Sequence, residues 1–211
     1  MQKFKISAAD DVDMLAVTPE QDAFKQAVYE ENLKNRVIII NEEINDYTVE
    51  RVGFQIQKFN REDKHKELSE RKPIVLQINC DGGDVMVGLP LVNIIQNSKT
   101  PVWGVCMKSC SMAAFVLAAC HKRYAYEGST VLLHDGSTSV YGSSSKVEDL
   151  VNYSNNLWSK LEEIILNNTK ITKEKYDAKR RDEWYMLGDE AKEYGIVDFL
   201  IGKDVDMDEI L

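Results

Sequence analysis

The chain has 211 residues, 44% of them hydrophobic, a formal net charge of −9, four cysteines and three histidines. That length and apolar content suit one sizeable core. The acidic balance excludes a surface built for non-specific nucleic-acid binding, which needs clustered Lys and Arg to displace counterions. Cys80, Cys106, Cys110 and Cys120 form no CxxC pair and sit in or beside apolar runs, so they read as reduced core thiols and not as a zinc site.

The opening "MQKFKISAADDVDMLAV" has no apolar stretch of the secretory kind, and no run approaches the length of a membrane span. The expectation is a cytoplasmic protein with no membrane partner. Residues 1–32 read as a partly mobile segment with one helix around Glu20–Asn35, and residues 33–202 as the folded domain. "RVIIIN" (Arg36–Asn41) is β-branched and reads as a buried strand. Asn45 or Asp46 then offers a cap for a helix in which Val49, Val52, Ile56 and Phe59 recur at helical spacing. "NREDKHKELSERK" (Asn60–Lys72) is a charged loop or helix extension.

A second strand follows at "PIVLQIN" (Pro73–Asn79), then the turn "CDGGD" and a helix at "VMVGLPLVNIIQ". Pro90 falls inside that helix, although proline is tolerated only in a helix's first turn. "PVWGVC" (Pro101–Cys106) gives a third strand, Ser111–Cys120 a buried helix, and "TVLLHD" (Thr130–Asp135) a fourth strand. Alternation of strand and helix with short connections predicts an α/β fold of repeated βαβ units with a mainly parallel sheet. In such sheets ligands sit beyond the carboxyl ends of the strands, where "DGGD" and "KSCS" both fall.

The second half is more helical. Val147, Leu150, Val151, Leu157, Leu161, Ile164 and Ile165 form one stripe of a long amphipathic helix, Ser145–Asn168, which is too long for a mere connector and is expected to meet another subunit. A helix, a loop, a short helix stopped by Gly195 and a last strand at Ile196–Leu200 follow. The acidic tail, residues 203–211, is expected to fray.

Three places can carry chemistry. Ser111 opens a helix, where it is either an N-cap or a nucleophile beside free N–H groups and a positive dipole end. The double glycine of "DGGD" is either a simple turn or a close approach of backbone to ligand, with the Gly83 amide as an oxyanion donor beside that of Met112. His134 closes an apolar strand and is either structural or a base for Ser111; Asp182 and Glu183 are candidates to orient it. His65 lies in the charged loop and is read as solvated, and His121 as a favourable residue at a helix C-terminus.

In this order the residues resemble the proteolytic subunit of the Clp protease, the caseinolytic protease P family of serine peptidases. "INCDGGDVMVGLPLVNII" resembles the family's Ile-Asn-Ser-Pro-Gly-Gly turn and helix, "VCMKSCSMAAFVLAAC" its nucleophile segment, "VLLHDG" its Ile-His-Gln-Pro, and "EAKEYGIVDFLI" its C-terminal helix and strand. The resemblance spans roughly Leu33 to Gly202. It implies a crotonase-like α/β fold with a protruding handle at Ser145–Asn168, and Ser111 as nucleophile with His134 as base. It further implies Gly83 and Met112 as oxyanion donors, and Glu183 as third member, counted back without a gap, with Asp182 as the alternative. It implies a polypeptide substrate, no metal or organic cofactor, stacked seven-membered rings of identical subunits, and an AAA+ unfoldase as the partner that consumes ATP.

Departures mark a divergent member: Cys80-Asp81 before the glycines, Lys108-Ser109-Cys110 before the serine, Ala113 after Met112, Asp135-Gly136 after the histidine, and Pro90. They leave room for a catalytically weak or inactive assembly subunit. Two further rivals are an acyl-CoA enzyme of the crotonase type and a Ser–Lys peptidase using Lys108 or Lys122.

Overall fold

The computed structural model of the chain describes residues 19–137 and 139–211, so most of the expected N-terminal segment lies outside the described residues. Helix α1 (Pro19–Lys34) leads into strand β1 (Val37–Ile40). Strands β2 (Ile74–Cys80), β3 (Val102–Cys110) and β4 (Lys122–Leu133) lie beside it in sequence order, all parallel. Parallel neighbours need crossovers. The first carries a continuous helical run, α2 (Asp46–Thr48), a π turn (Val49–Gly53) and α3 (Phe54–Glu62), followed by a loop to β2. The cap is Asn45, whose side chain accepts the Tyr47 and Thr48 N–H groups. The other crossovers are α4 (Val85–Gln96) and α5 (Met112–Ala118).

After β4 come the long helix α6 (Ser144–Asn168), α7 (Lys173–Lys179), β5 (Trp184–Leu187), α8 (Gly188–Glu193) and β6 (Phe199–Leu200). β5 runs antiparallel to the second half of β4, and β6 parallel to its first half. Strand side chains alternate between faces. Ile38, Ile40, Leu76, Ile78 and Cys106 belong to the large core shared with the helices. Val37, Val75, Val105 and Tyr124 form a second cluster on the opposite face.

That second face corrects the reading of the tail as frayed. Ile210 is buried there and Met207 packs against the cluster. Burying an isoleucine contributes about 1.5–3 kcal/mol, and Asp204 pins the turn by accepting the Leu200 N–H and pairing with Lys192 at 2.7 Å. The third strand also runs on to Cys110, so "KSC" is strand and not loop. Met107 is skipped in the pairing with β2, a bulge that leaves it exposed.

β4 starts at Lys122, earlier than its apolar run suggests. Its polar middle is held by Ser129, whose hydroxyl accepts the Tyr126 N–H and donates to the Cys106 carbonyl. "WYML" is a strand and not a loop; four residues are too few to show the alternation in which Trp184 and Met186 are buried. Conversely, the expected final strand keeps only Phe199–Leu200.

Pro90 lies in the interior of α4, beyond the first turn. The carbonyl it leaves without an N–H partner is that of Met86, on the exposed side of the helix, where water can serve it. In the charged loop, Asp63 is fully buried, forked by the Arg36 guanidinium and bonded by the Thr100 hydroxyl.

Candidate active site

β3 ends at Cys110 and α5 begins at Met112, so Ser111 makes the whole turn between them. It does so with φ 52° and ψ −126°, a left-handed conformation that a non-glycine residue rarely adopts. Its N–H donates to Leu132 and its carbonyl accepts from Ala114, which clamps the backbone. Its side chain makes no bond to the helix end. A capping serine would show that bond, so capping does not account for the hydroxyl. Strain of this kind persists only where surrounding structure enforces it. Gly82 is part of that enclosure: a Cβ there would lie 2.7 Å from the Ser111 Cβ and 2.9 Å from the Cys110 carbonyl oxygen.

Gly83 stands beside it. It bridges to Ile44: the Ile44 N–H donates to the Gly82 carbonyl and the Asp84 N–H to the Ile44 carbonyl. In a parallel bridge of this pattern the N–H of the central residue points away from its partner strand. The Gly83 N–H is therefore turned from Ile44. Met112 opens α5, so its N–H is among the orphan donors of the helix. Gly83, Ser111 and His134 line one cavity of about 560 Å³, whose other side is apolar and includes Met86, Leu157 and Trp158.

Sheet register places the histidine and its carboxylate. Cys110 pairs with Leu132, so the first residue past β4 emerges beside the start of α5. Leu133 pairs with Trp184 in the antiparallel ladder, and continuing that register sets His134 opposite Glu183. His134 Nδ1 and Glu183 Oε1 are 2.9 Å apart. Asp182 lies in the bend before β5, where its N–H donates to the Lys179 carbonyl and its carboxylate pairs with Lys179 at 3.1 Å. The geometry brings Glu183 to the imidazole and leaves Asp182 out.

A carboxylate only accepts, so the bond calls for the proton on Nδ1 and leaves Nε2 with its lone pair. His134 Nε2 is buried and has no hydrogen-bond partner among the described residues. Ser111 and His134 share the cavity, but the hydrogen bond between them is not made in this state.

The rival lysines lie elsewhere. Lys108 pairs with Asp81 at 2.7 Å, and Lys122 sits over the Trp103 ring at 5.0 Å. His65 is exposed. His121 accepts the Val102 N–H on Nδ1, and burial holds its pKa below the ordinary value, a structural role. All four cysteines are free and buried. Burial raises Cys106 and Cys120 to about 12 and Cys110 to about 11, which keeps them as thiols. Among the described residues no group of His, Cys, Asp or Glu is placed to hold a metal ion, and no helix is long and apolar enough to cross a membrane.

Sequence reading missed Gly82 and Trp158. The double glycine was a signal for the first. Trp158 left none, because only the fold brings α6 under the loop after His134, where the indole lies against Gly136.

The family model described as Clp protease matches residues 20–204. The chain belongs to the Clp protease family. The match takes in α1 and reaches into the C-terminal segment, and the central sheet with its flanking helices is the α/β fold that the family resemblance implies. Family membership supports a peptidase of the hydrolase class.

Proposed function

We propose that this chain is a serine endopeptidase in which Ser111 Oγ attacks the scissile carbonyl while His134 Nε2 takes its proton. Glu183 holds the Nδ1 proton and steadies the imidazolium that forms. The Gly83 and Met112 N–H groups receive the developing oxyanion. The imidazolium then protonates the leaving amine, and water hydrolyses the acyl-enzyme by the same route in reverse. The observation that carries this reading is the 2.9 Å contact of His134 with Glu183, on a histidine whose other nitrogen has no partner among the described residues and which shares a cavity with a strained serine.

By resemblance to the family, the subunits assemble as stacked seven-membered rings around a chamber, in a cytoplasmic setting, and an AAA+ unfoldase spends ATP to feed it unfolded polypeptide. The exposed stripe of Leu150 and Val151 on α6 suits contact with a second copy. A catalytically weak assembly subunit is the second reading, favoured by the unmade Ser111–His134 bond.

A fluorophosphonate probe separates the two. Wild type labels on Ser111, Ser111→Ala does not label and hydrolyses no peptide while keeping its assembly mass, and His134→Ala labels at least about 100-fold more slowly. Absence of labelling in wild type leaves the assembly reading.

A further inference from the structure

Only 1% of Thr48 is exposed, although its side chain is polar. Its hydroxyl accepts the Asn45 N–H at 3.1 Å, which is one half of the capping box at the start of α2. Capping does not account for its other bond, in which the same hydroxyl donates to the Glu43 carbonyl at 3.1 Å. The two bonds fall on the peptide units on either side of Ile44, and those units face the double glycine with their other ends. The unit carrying the Glu43 carbonyl also carries the Ile44 N–H, which donates to the Gly82 carbonyl at 2.8 Å. The unit carrying the Asn45 N–H also carries the Ile44 carbonyl, which accepts the Asp84 N–H at 2.9 Å. A trans peptide unit is planar, so fixing one end orients the other. The Gly82 carbonyl in turn shares its unit with the Gly83 N–H. A run of hydrogen bonds therefore leads from the Thr48 hydroxyl, through the Glu43–Ile44 and Gly82–Gly83 units, to the Gly83 N–H, and each bond in such a run polarises the next. Gly83, at φ 148°, has no side chain to restrain its backbone, so the aim of its N–H has to be set from outside.

We infer that Thr48 is a positioning residue of the oxyanion hole: its buried hydroxyl sets the aim of the Gly83 N–H through the peptide units of Ile44 and Gly82. The inference rests on the peptidase reading, in which that N–H receives the oxyanion. Thr48 is not part of the cavity wall beside Ser111, so its influence on the reaction has to travel through Ile44 and Gly83. A second tie between the same segments bounds the size of the effect. The Cys80 sulfur lies 3.0 Å from the Glu42 carbonyl oxygen and accepts the Gly82 N–H at 3.3 Å. Loss of the Thr48 hydroxyl therefore loosens Gly83 without releasing it. The rate should fall by less than the 100-fold or more, in order of magnitude, that follows outright removal of an oxyanion donor.

Thr48→Val removes the hydroxyl from a side chain of similar shape. It is expected to lower kcat about tenfold and leave KM within about twofold, because the oxyanion contact is made in the transition state and not in the bound substrate. A peptide aldehyde adds to Ser111 Oγ and carries an oxygen anion where the tetrahedral intermediate has one, so its Ki should rise about tenfold in the same variant. Thr48→Ser keeps the hydroxyl and should bring kcat and Ki back to within about threefold of wild type. Ki and KM are both read on the active fraction of one preparation, so their ratio reports even for a variant that is partly unfolded. The matching peptide without the aldehyde, bound to Ser111→Ala with and without Thr48→Val and followed by fluorescence anisotropy, should show equal affinity. Thr48→Val with the wild-type kcat and Ki, or with Ki and KM raised by one common factor, overturns the inference and leaves the peptidase standing. A Thr48→Ser protein as impaired as Thr48→Val does the same. A wild type that neither cleaves peptide nor takes up the aldehyde overturns the peptidase reading, and this inference with it.

Discussion

Gly82→Ala tests whether the strained turn at Ser111 is held from outside. Two costs follow from the structure. Gly82 has φ 116°, which an L side chain rarely adopts, and left-handed or more extreme backbone costs about 1–3 kcal/mol. The new Cβ would also sit 2.7 Å from the Ser111 Cβ, 2.9 Å from the Cys110 oxygen and 3.2 Å from the Met112 nitrogen. Those neighbours are backbone or Cβ atoms and cannot swing away, so overpacking adds about 1–3 kcal/mol. The sum is about 2–6 kcal/mol, a large part of a typical folding free energy. At about 2–4 °C per kcal/mol for a chain of this size, the melting midpoint should fall by about 4–24 °C.

Relief of the clash must push Ser111 or Met112 out of place, so hydrolysis should fall at least about 100-fold even well below the new midpoint. Calorimetry and a fluorogenic peptide assay read the two effects on one preparation. Gly83→Ala provides the comparison: its Cβ would lie 2.3 Å from the Ile44 oxygen, and the loss should be at least as large. A Gly82→Ala protein that melts within about 1 °C of wild type and hydrolyses peptide normally would refute the claim that this glycine braces the serine.

Glu183→Gln should lower kcat by about 100-fold or more, because an amide no longer favours the Nδ1–H tautomer or steadies the imidazolium, while Asp182→Asn should leave kcat within about twofold; steady-state kinetics on both variants settle which acid acts. Asp63 is buried between Arg36, Lys66 and Thr100, and the Arg36 guanidinium above all holds its carboxyl far below the ordinary value of 3.8. A depressed folded-state value means that the stabilisation is complete at pH above the ordinary value and drains away as pH falls toward the depressed one. Asp63→Asn should therefore cost about 3–5 kcal/mol at neutral pH, since it leaves Arg36 without its buried counter-ion. It should also flatten the acid limb of stability below pH 4, as followed by circular dichroism.

The apolar runs Val37–Ile40, Ile74–Leu76 and Val102–Cys106, alternating with helices over short connections, made the mainly parallel sheet legible. The acids of the tail gave no hint that Ile210 closes the far face of the sheet, because one isoleucine among exposed charges has no period to read. The same limit hid β5, whose four residues become a strand only by pairing with β4.

At the site, the order of double glycine, serine and histidine was visible in the chain, and so was the choice between cap and nucleophile at Ser111. Tertiary structure removed the cap from that choice, because Ser111 makes no side-chain bond to the helix end, and set Ser111 in one cavity with His134. It also put Glu183, which counting back along the family resemblance favoured, beside His134 and left Asp182 on Lys179. The antiparallel pairing of Leu133 with Trp184 carries Glu183 across from His134, while Asp182 stays in the bend before β5, paired with Lys179.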